Sequence, residues 1–202
     1  MDPLLSRLEL HHGPGFGDHG TRVAGLSHAM ADKIGLGRRD ADRLLLAGLL
    51  HDLGKTGVDP DVLDRAAPLS DEETAEVQRH PELGYRHLTD LVHPAIAEAV
   101  LCHHERWDGE GYPSGIRGND IPVMARIILA ADAFDVMTSG RGYASRLTVA
   151  EAWYQMRRES GRQFDPAVID ALACVDERLL EDMAVRAPFS PSAIFGRSGH
   201  RG

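Results

Sequence analysis

Apolar residues recur along most of this chain at intervals of three and four positions. In the first such stretch, from about Asp18, they are Val23, Leu26, Met30 and Ile34. This spacing predicts an amphipathic helix, which Gly35 and Gly37 end because glycine is a weak helix former. No segment alternates apolar and polar residues as a half-buried strand would. The pattern as a whole predicts an all-α fold.

Two later stretches are apolar nearly all round, which is typical of helices at the centre of a core. The first has Asp40 as its predicted N-cap and leads directly into His51 and Asp52. The second follows Pro122 and carries Asp132 within its apolar sequence. A buried carboxylate is costly unless a cation or strong hydrogen bonds compensate it. We therefore interpret Asp52 and Asp132 as site residues.

Helix-start signals mark the boundaries of the remaining helices. Ser70 with Glu73, and Thr148 with Glu151, form the capping-box pattern, in which side chains and backbone groups at a helix start satisfy each other. Prolines suited to the first turn of a helix occur at positions 81, 94 and 166. The glycine-rich segment 105–122 predicts a long structured loop, and loops of this length in a compact domain tend to be functional.

The length and composition indicate one domain. The chain has 202 residues, of which 43% are hydrophobic, and this suffices for one sizeable core. We expect that domain at residues 18–183, after a poorly patterned segment at 1–17 and before a flexible tail at 184–202 that is rich in Pro, Ser, Gly and Arg.

Charge and cysteine content exclude several classes of function. The net charge of −9 argues against a nucleic-acid polymer as partner, because such partners require a basic surface. Two cysteines, Cys102 and Cys174, indicate neither a disulfide framework nor a cysteine-based zinc site, and they fit a reducing cytosol. No stretch has the length of a membrane span and the start lacks a signal-peptide pattern, so we expect a cytoplasmic protein without a membrane partner.

Histidine and aspartate side chains at helix ends indicate a metal site. Adjacent residues on a helix project about 100° apart, so His51 and Asp52 are close enough to share an ion. His103 and His104 end the helix that starts at Pro94, and both can be ligands only if the metal lies beyond the helix end. Two such pairs on separate helices predict a metal centre.

Further candidates stand at other helix boundaries. His80 lies at a helix junction and His19 on the stripe of the first helix, although His19 alone also fits a partly buried helix-start histidine. Lys55 follows Asp52 at the mouth of the same helix, with a solvated lysine as the alternative. His87 and His93 have no comparable placement and are interpreted as surface or packing residues.

Taken together, these residues resemble the HD-GYP domain, a branch of the HD metal-dependent phosphohydrolase superfamily. The resemblance covers residues 18–180 and implies an HD-superfamily helical bundle with a long Gly-rich functional loop. Its central motifs are His51-Asp52-Leu53-Gly54-Lys55, His80-Pro81, His103-His104-Glu105, Asp108-Gly109-Glu110-Gly111-Tyr112-Pro113 and Ala131-Asp132-Ala133-Phe134-Asp135. Its outer motifs are His19 with Arg22-Val23, Arg141-Gly142-Tyr143 and Gly161-Arg162-Gln163-Phe164-Asp165-Pro166.

The resemblance implies two divalent metal ions bridged by Asp52. The implied ligands of the first are His19, His51, Asp52 and Asp132, and those of the second are Asp52, His80, His103 and His104. Some family members hold a third metal partly through a glutamate one turn before the first histidine. Gly15 stands at that position here, which favours a dinuclear centre. Imidazole and carboxylate ligands without thiolate suit iron, manganese or zinc, and iron and manganese are favoured.

The activity that the resemblance implies is hydrolysis of the bacterial second messenger cyclic di-GMP. We expect a hydroxide that bridges the two ions to attack one phosphorus, which gives linear pGpG, with GMP as the product of further cleavage. Asp52 and Lys55 are the expected catalytic residues, and Lys55 is expected to contact a phosphate oxygen.

The roles of the Gly-Tyr-Pro loop are left open by the sequence. Tyr112 is a candidate for stacking on or hydrogen bonding to a nucleotide, and Arg141 for pairing with guanine or phosphate. In this family the same loop is implicated in docking diguanylate cyclase (GGDEF) domains, which is the alternative role, and Trp107 fits either role or simple packing. Two other functions stay open: a non-hydrolysing dinucleotide sensor or docking module, and a hydrolase of another nucleotide such as cyclic GMP-AMP.

Overall fold

The chain begins, in its described part, with a helical hairpin. The computed structural model describes residues 16–63, 65, 67–139, 146–176 and 178–181. Helix α1 spans Phe16–Ile34 and α2 spans Arg38–Leu50. Gly35 separates them with a φ of 83°, a left-handed conformation that glycine adopts without strain. Val23, Leu26 and Met30 of the predicted stripe are buried and Ile34 is partly buried, so the predicted amphipathic helix is confirmed.

The prediction of Asp40 as the N-cap of α2 is wrong. The cap is Gly37, whose backbone is extended, and Asp40 lies inside the first turn, where its carboxylate accepts a hydrogen bond from Arg43 at 2.8 Å. An acidic side chain is favoured anywhere in the first turn by the helix dipole, so its presence does not fix the cap position.

A series of short elements connects α2 to the second half of the fold. A 3-10 helix spans Leu53–Gly57, α3 spans Pro60–Leu63, α4 spans Asp71–Val77, α5 spans His80–Leu88 and α6 spans Pro94–Cys102. Both capping boxes, at Ser70 and Thr148, are present as predicted, and Pro81 and Pro94 lie in first turns. The 3-10 helix lies so close to α5 that a Cβ at Gly54 would overlap the carbonyl oxygen of His80. Glycine at this position therefore allows the two elements to meet.

The remaining elements enclose a central helix. A 3-10 helix at Gly118–Asp120 ends the long loop, and α7 (Val123–Ser139), α8 (Val149–Arg158) and α9 (Pro166–Ala173) follow. Helix α7 packs against α1, α2, α6, α8 and α9, and its apolar residues are buried on nearly every face. This explains why its sequence shows no polar side, and it buries Asp135 while leaving Asp132 partly exposed.

The predicted all-α class is confirmed. The described residues contain no strand, and their one β-type pairing is an isolated bridge between Ser160 and Phe164. Among the same residues, no helix combines the length and apolarity needed to cross a bilayer. The predicted tail at 184–202 and most of the predicted N-terminal segment lie outside the described residues.

Candidate metal centre

The structure brings together all seven residues that the sequence predicts as metal ligands. His19 comes from α1, His51 and Asp52 follow the end of α2, His80 begins α5, His103 and His104 follow the end of α6, and Asp132 lies in α7. Donor atoms of His19, His51 and Asp132 lie within 4.8 Å of one another, and so do those of Asp52, His80, His103 and His104. We call these groups the three-residue cluster and the four-residue cluster.

Asp52 lies between the two clusters. Its Oδ2 atom is 3.5 Å from His51 Nε2 and 3.9 Å from His19 Nε2, while its Oδ1 atom is 3.4 Å from His80 Nε2. The two oxygens of one carboxylate thus face different sets of imidazoles. This arrangement fits a ligand that contacts two cations.

Three of the histidines are oriented by backbone carbonyls at helix ends. The Nδ1 atoms of His51, His80 and His103 lie 2.8, 2.7 and 2.6 Å from the carbonyl oxygens three residues earlier, those of Gly48, Val77 and Val100. Carbonyls in a last helical turn lack partners within the helix, so they are free to accept these bonds. Because a carbonyl only accepts, Nδ1 carries the proton of each neutral ring and Nε2 is left with a lone pair.

Within the described residues, the Nε2 lone pairs of these histidines lack hydrogen-bond donors. The Nε2 atoms of His80 and His103 face each other at 3.2 Å, and in neutral rings both are acceptors. His51 Nε2 is buried and has no hydrogen-bond partner within the described part of the chain. Such atoms are costly unless something satisfies them, and a cation satisfies lone pairs from several imidazoles at once. The donor set therefore fits a metal ion, and the His/Asp cluster could bind metal ions.

Burial keeps the histidines of the four-residue cluster neutral. Desolvation lowers the pKa of His103 to about 3, and the nearby imidazoles of His51 and His80 add to this effect. Burial likewise lowers the pKa of His104 far below its usual value, and it lowers the pKa of His80. Imidazole binds metal only in its neutral form, so these rings are ready to coordinate at neutral pH.

The acidic residues impose the opposite trend on His19. Burial alone would lower the pKa of His19, but hydrogen bonds to Asp132 and Asp135 outweigh it and raise the pKa to about 9. Burial would also raise the pKa of Asp52, yet nearby His51 and Lys55 hold that pKa well below its usual range. The site thus combines ionised carboxylates with imidazoles of very different basicity.

Lys55 lies at this site as predicted. Its Nζ donates a hydrogen bond of 2.7 Å to Asp52 Oδ2, and 29% of its side chain is exposed. An ammonium group that is held at the edge of the site and still reaches solvent is placed to meet an incoming anion.

The Gly-Tyr-Pro loop covers the four-residue cluster. The Tyr112 ring stacks on His104 with centroids 4.7 Å apart and planes at 22°, and its backbone N–H donates to the His104 carbonyl. One face of the Tyr112 ring is therefore taken by protein, and the residue as a whole is only partly buried. Burial raises the pKa of the Tyr112 phenol, so the hydroxyl stays protonated and can donate.

Two other predicted loop roles have different outcomes. Trp107 packs beneath the Arg126 guanidinium, 5.6 Å from its ring centroid, and its backbone N–H donates to the Gln163 carbonyl, which fits the packing interpretation. Arg141 lies outside the described residues. His87 and His93 are exposed, as expected, and His93 Nδ1 accepts a hydrogen bond from the Ala95 N–H at the start of α6.

Sequence reasoning missed three polar residues that support the site. Asp135 accepts hydrogen bonds from both His19 and Arg22, and Glu105 Oε1 accepts one from the Ser114 N–H, which ties the loop to the end of α6. A signal was present for Asp135, because an acid one turn after Asp132 in an otherwise apolar helix needs a buried partner as well.

Curated proteins similar to this chain include cyclic dinucleotide phosphodiesterases. A cyclic di-GMP phosphodiesterase of Thermotoga maritima is 33% identical over 166 residues, which cover 81% of this chain and 45% of that protein. The cyclic di-GMP phosphodiesterase response regulator RpfG of Xanthomonas campestris pv. campestris is 38% identical over 155 residues, covering 75% and 40%. A 3'3'-cGAMP-specific phosphodiesterase of Vibrio cholerae is 33% identical over 174 residues, covering 85% and 33%. The chain thus spans less than half the length of these relatives.

Solved structures and a family model agree on the fold. A cyclic GMP-AMP specific phosphodiesterase of Vibrio cholerae superposes with a TM-score of 0.66 at 18% identity, over 87% of this chain and 49% of that one. An HDG"Y"P protein from Bdellovibrio bacteriovorus superposes with a TM-score of 0.64 at 25% identity, over 78% and 51%. The model of the HD domain family matches residues 3–168. With that match over most of its length, this chain belongs to the HD domain family, and its motifs are those of the HD-GYP branch.

Proposed function

We propose that this chain is a metal-dependent phosphodiesterase that hydrolyses cyclic di-GMP to linear pGpG, with GMP as the product of a second cleavage. The observation that carries the proposal is the pair of Nε2 lone pairs on His80 and His103, 3.2 Å apart beside the Asp52 carboxylate. Such a pair suits a cation and little else. Relatives named cyclic di-GMP phosphodiesterases support the choice of substrate.

The proposed cofactor is a pair of divalent ions. The three-residue cluster would hold one, the four-residue cluster the other, and Asp52 would contact both. The donors are imidazole and carboxylate without thiolate, which suits iron or manganese, with zinc as the alternative. When bound, two such ions supply a water of lowered pKa and neutralise the charge of the phosphate oxygens.

The chain's own residues would bind and orient the substrate. The Lys55 ammonium, already at the edge of the site, would contact a nonbridging phosphate oxygen and stabilise charge that develops there. Tyr112 would offer its free ring face or its hydroxyl to a guanine, while its other face rests on His104. Arg141 is a further proposed contact to guanine or phosphate, and this proposal is based only on the sequence motif that contains it.

A second substrate has specific support. Relatives named 3'3'-cGAMP-specific phosphodiesterases are as similar to this chain as several of those named for cyclic di-GMP. The two dinucleotides differ in one base, so a pocket that reads the phosphates and one guanine would accept both. Hydrolysis of cyclic GMP-AMP is therefore the alternative function.

The test is product analysis with the metal-loaded chain. Protein loaded with Mn²⁺ or Fe²⁺ is incubated separately with cyclic di-GMP, 3'3'-cGAMP and cyclic di-AMP, and products are followed by chromatography. We expect pGpG from cyclic di-GMP, with a higher kcat/KM than for either of the others. Higher efficiency on 3'3'-cGAMP would select the alternative substrate. No product from any of them at full metal content, together with retained binding, would replace the enzyme with a dinucleotide sensor.

The loop also supports a proposed protein partner. Ser114, Gly115 and Arg117 are exposed beyond the part of the loop that contacts His104, which leaves a surface free to dock a GGDEF domain. A pull-down with a purified GGDEF protein tests this, and Arg117→Glu is expected to weaken the binding without changing metal content.

We propose the cytoplasm as the location of the protein, because free cysteines and a nucleotide substrate both fit that compartment.

A further inference from the structure

The histidines of the site are held at Nδ1 in two different ways. Backbone carbonyls of preceding residues hold His51, His80 and His103. His19 is held instead by a side chain from another helix, because its Nδ1 lies 2.7 Å from Asp135 Oδ2. Asp135 lies one turn after Asp132 on α7 and is only 5% exposed. The two carboxylates of α7 thus contact opposite nitrogens of one imidazole, since Asp132 Oδ1 is 3.1 Å from His19 Nε2.

Asp135 is in turn fixed by an arginine. Arg22 Nε donates to Asp135 Oδ1 at 2.5 Å and Arg22 Nη2 donates to Oδ2 at 3.0 Å. Two bonds from a planar guanidinium set the rotation of the carboxylate as well as its position. Arg22 lies one turn after His19 on α1, so Asp135 links two side chains of α1 to α7.

We propose that Asp135, held by Arg22, is the positioning residue of His19. It keeps the His19 proton on Nδ1 and directs the Nε2 lone pair toward Asp132 and His51. A carboxylate in this position also makes the imidazole a stronger donor to a metal. The inference rests on the proposed metal centre, and it adds that the ion of the three-residue cluster depends on a pair of residues that do not touch it.

A direct role for Asp135 as a ligand does not fit the contacts. Both of its oxygens already accept hydrogen bonds, from His19 and Arg22. Within the described residues, neither group of side chains that could hold an ion includes it. Asp135 therefore acts through His19.

The chain offers a matched control for this pair. Asp165 is also 5% exposed, it accepts a hydrogen bond of 2.6 Å from Arg126, and it belongs to neither cluster. Asp135→Asn and Asp165→Asn each remove one negative charge from a buried carboxylate paired with an arginine. Asparagine at 135 keeps the shape, but its NH₂ group must face either Arg22 or His19, which are both donors.

The experiment measures zinc binding by the full chain. Wild type, Asp135→Asn, Arg22→Gln and Asp165→Asn are stripped with a chelator and titrated with Zn²⁺ against a chromophoric competitor, and circular dichroism melts establish folding. We expect two ions in wild type. Asp135→Asn should weaken one of them about 10- to 100-fold and leave the other unchanged, with a smaller loss for Arg22→Gln and none for Asp165→Asn. Unchanged binding of both ions by folded Asp135→Asn, or an equal loss in Asp165→Asn, would overturn the inference.

A measurement on the wild type covers the case in which the variants do not fold. Two-bond ¹⁵N–¹H correlation spectra of the zinc-loaded protein report which ring nitrogen of His19 carries the proton. We expect the proton on Nδ1 and zinc on Nε2, and the reverse assignment would overturn the inference. Wild type that binds no zinc would remove the proposed metal centre and this inference together. Two ions in wild type with no effect of Asp135→Asn would leave the metal centre in place.

Discussion

The two clusters of the site are built on different principles. The histidines of the four-residue cluster stand at helix ends, and two of them are oriented by the chain's own carbonyls. The three-residue cluster depends on α1 docking against α7, where Asp135 and Arg22 complete the contacts of His19. His80 begins α5 and the His103-His104 pair follows α6, two helices that pack against each other, whereas His19 on α1 is held by a side chain from α7. The orientation of His80 and His103 therefore depends on nearby backbone groups, while that of His19 depends on a contact between two helices.

The electrostatics follow the same division. The four-residue cluster is dominated by imidazoles, and burial keeps them neutral with lowered pKa values. In the three-residue cluster, the carboxylates around His19 raise its pKa to about 9. A metal ion held by the four-residue cluster would therefore displace few protons at neutral pH, while one held by the three-residue cluster would require His19 to give one up.

The largest expected effect is at Asp52, because its two carboxylate oxygens face the imidazoles of both clusters. Asp52→Asn removes the charge that faces both imidazole sets, so metal content should fall in both clusters. We expect kcat/KM for cyclic di-GMP to fall by at least about 100-fold, the scale of losing one preorganised charge in an active site. Metal analysis and product chromatography measure this. The control is Asp40→Asn at the surface, and a variant that lost only one ion would show that Asp52 is not shared.

Acid and alkali should unfold the metal-free protein through different clusters. His103 stays neutral in the folded state down to about pH 3, but the unfolded chain binds a proton below about pH 6.5, so stability falls as pH drops through that window. His19 keeps its proton in the folded state up to about pH 9, so its contribution is lost as pH rises from about 6.5 to 9. Each pKa unit corresponds to roughly 1.4 kcal/mol.

Urea unfolding in the presence of a chelator, between pH 4 and 10, gives the free energy of unfolding as a function of pH. His103→Gln should reduce its fall on the acid side and leave the alkaline side unchanged, and His19→Gln should do the reverse. If either variant changed the acid and the alkaline side equally, the two clusters would not differ in how they respond to pH.

Lys55 sharpens the comparison because it belongs to neither cluster but donates a hydrogen bond to Asp52, which lies between them. Lys55→Met should lower kcat/KM about 10- to 100-fold, since one hydrogen-bonding cation is lost from the transition state. Both ions should still bind, because Lys55 is not a donor to either. The chain has one other lysine, the exposed Lys33, so Lys33→Met is the matched control. A Lys55 variant with wild-type kcat/KM would leave the ammonium group without a role in substrate binding.

The sequence predicted the candidate metal ligands better than the contacts that position them. Histidine and aspartate at the ends of apolar helices can be recognised in the sequence, because burying such residues is costly without a cation. Asp40 was misplaced, since an acid is favourable throughout a first helical turn and the cap depends on backbone angles. The contacts of Asp135 with His19 and Arg22 join residues more than 110 positions apart, and no local pattern encodes how α1 docks on α7. The carbonyls that orient the other histidines are equally invisible, because every residue has one.

The smallest expected effect concerns the aromatic ring that covers the four-residue cluster, a feature for which the three-residue cluster has no counterpart in the described part of the chain. Tyr112→Leu removes the stack on His104 and should cost about 0.5–1.5 kcal/mol of stability, measured by urea unfolding. Tyr112→Phe keeps the stack, so its stability should match wild type. The KM values then separate two roles. A KM raised equally in both variants assigns the substrate contact to the hydroxyl, whereas a rise in Tyr112→Leu alone assigns it to the free ring face. If Tyr112→Leu is as stable as wild type and binds substrate equally well, the ring contributes neither to the order of His104 nor to recognition, and the two clusters differ only in how their histidines are held.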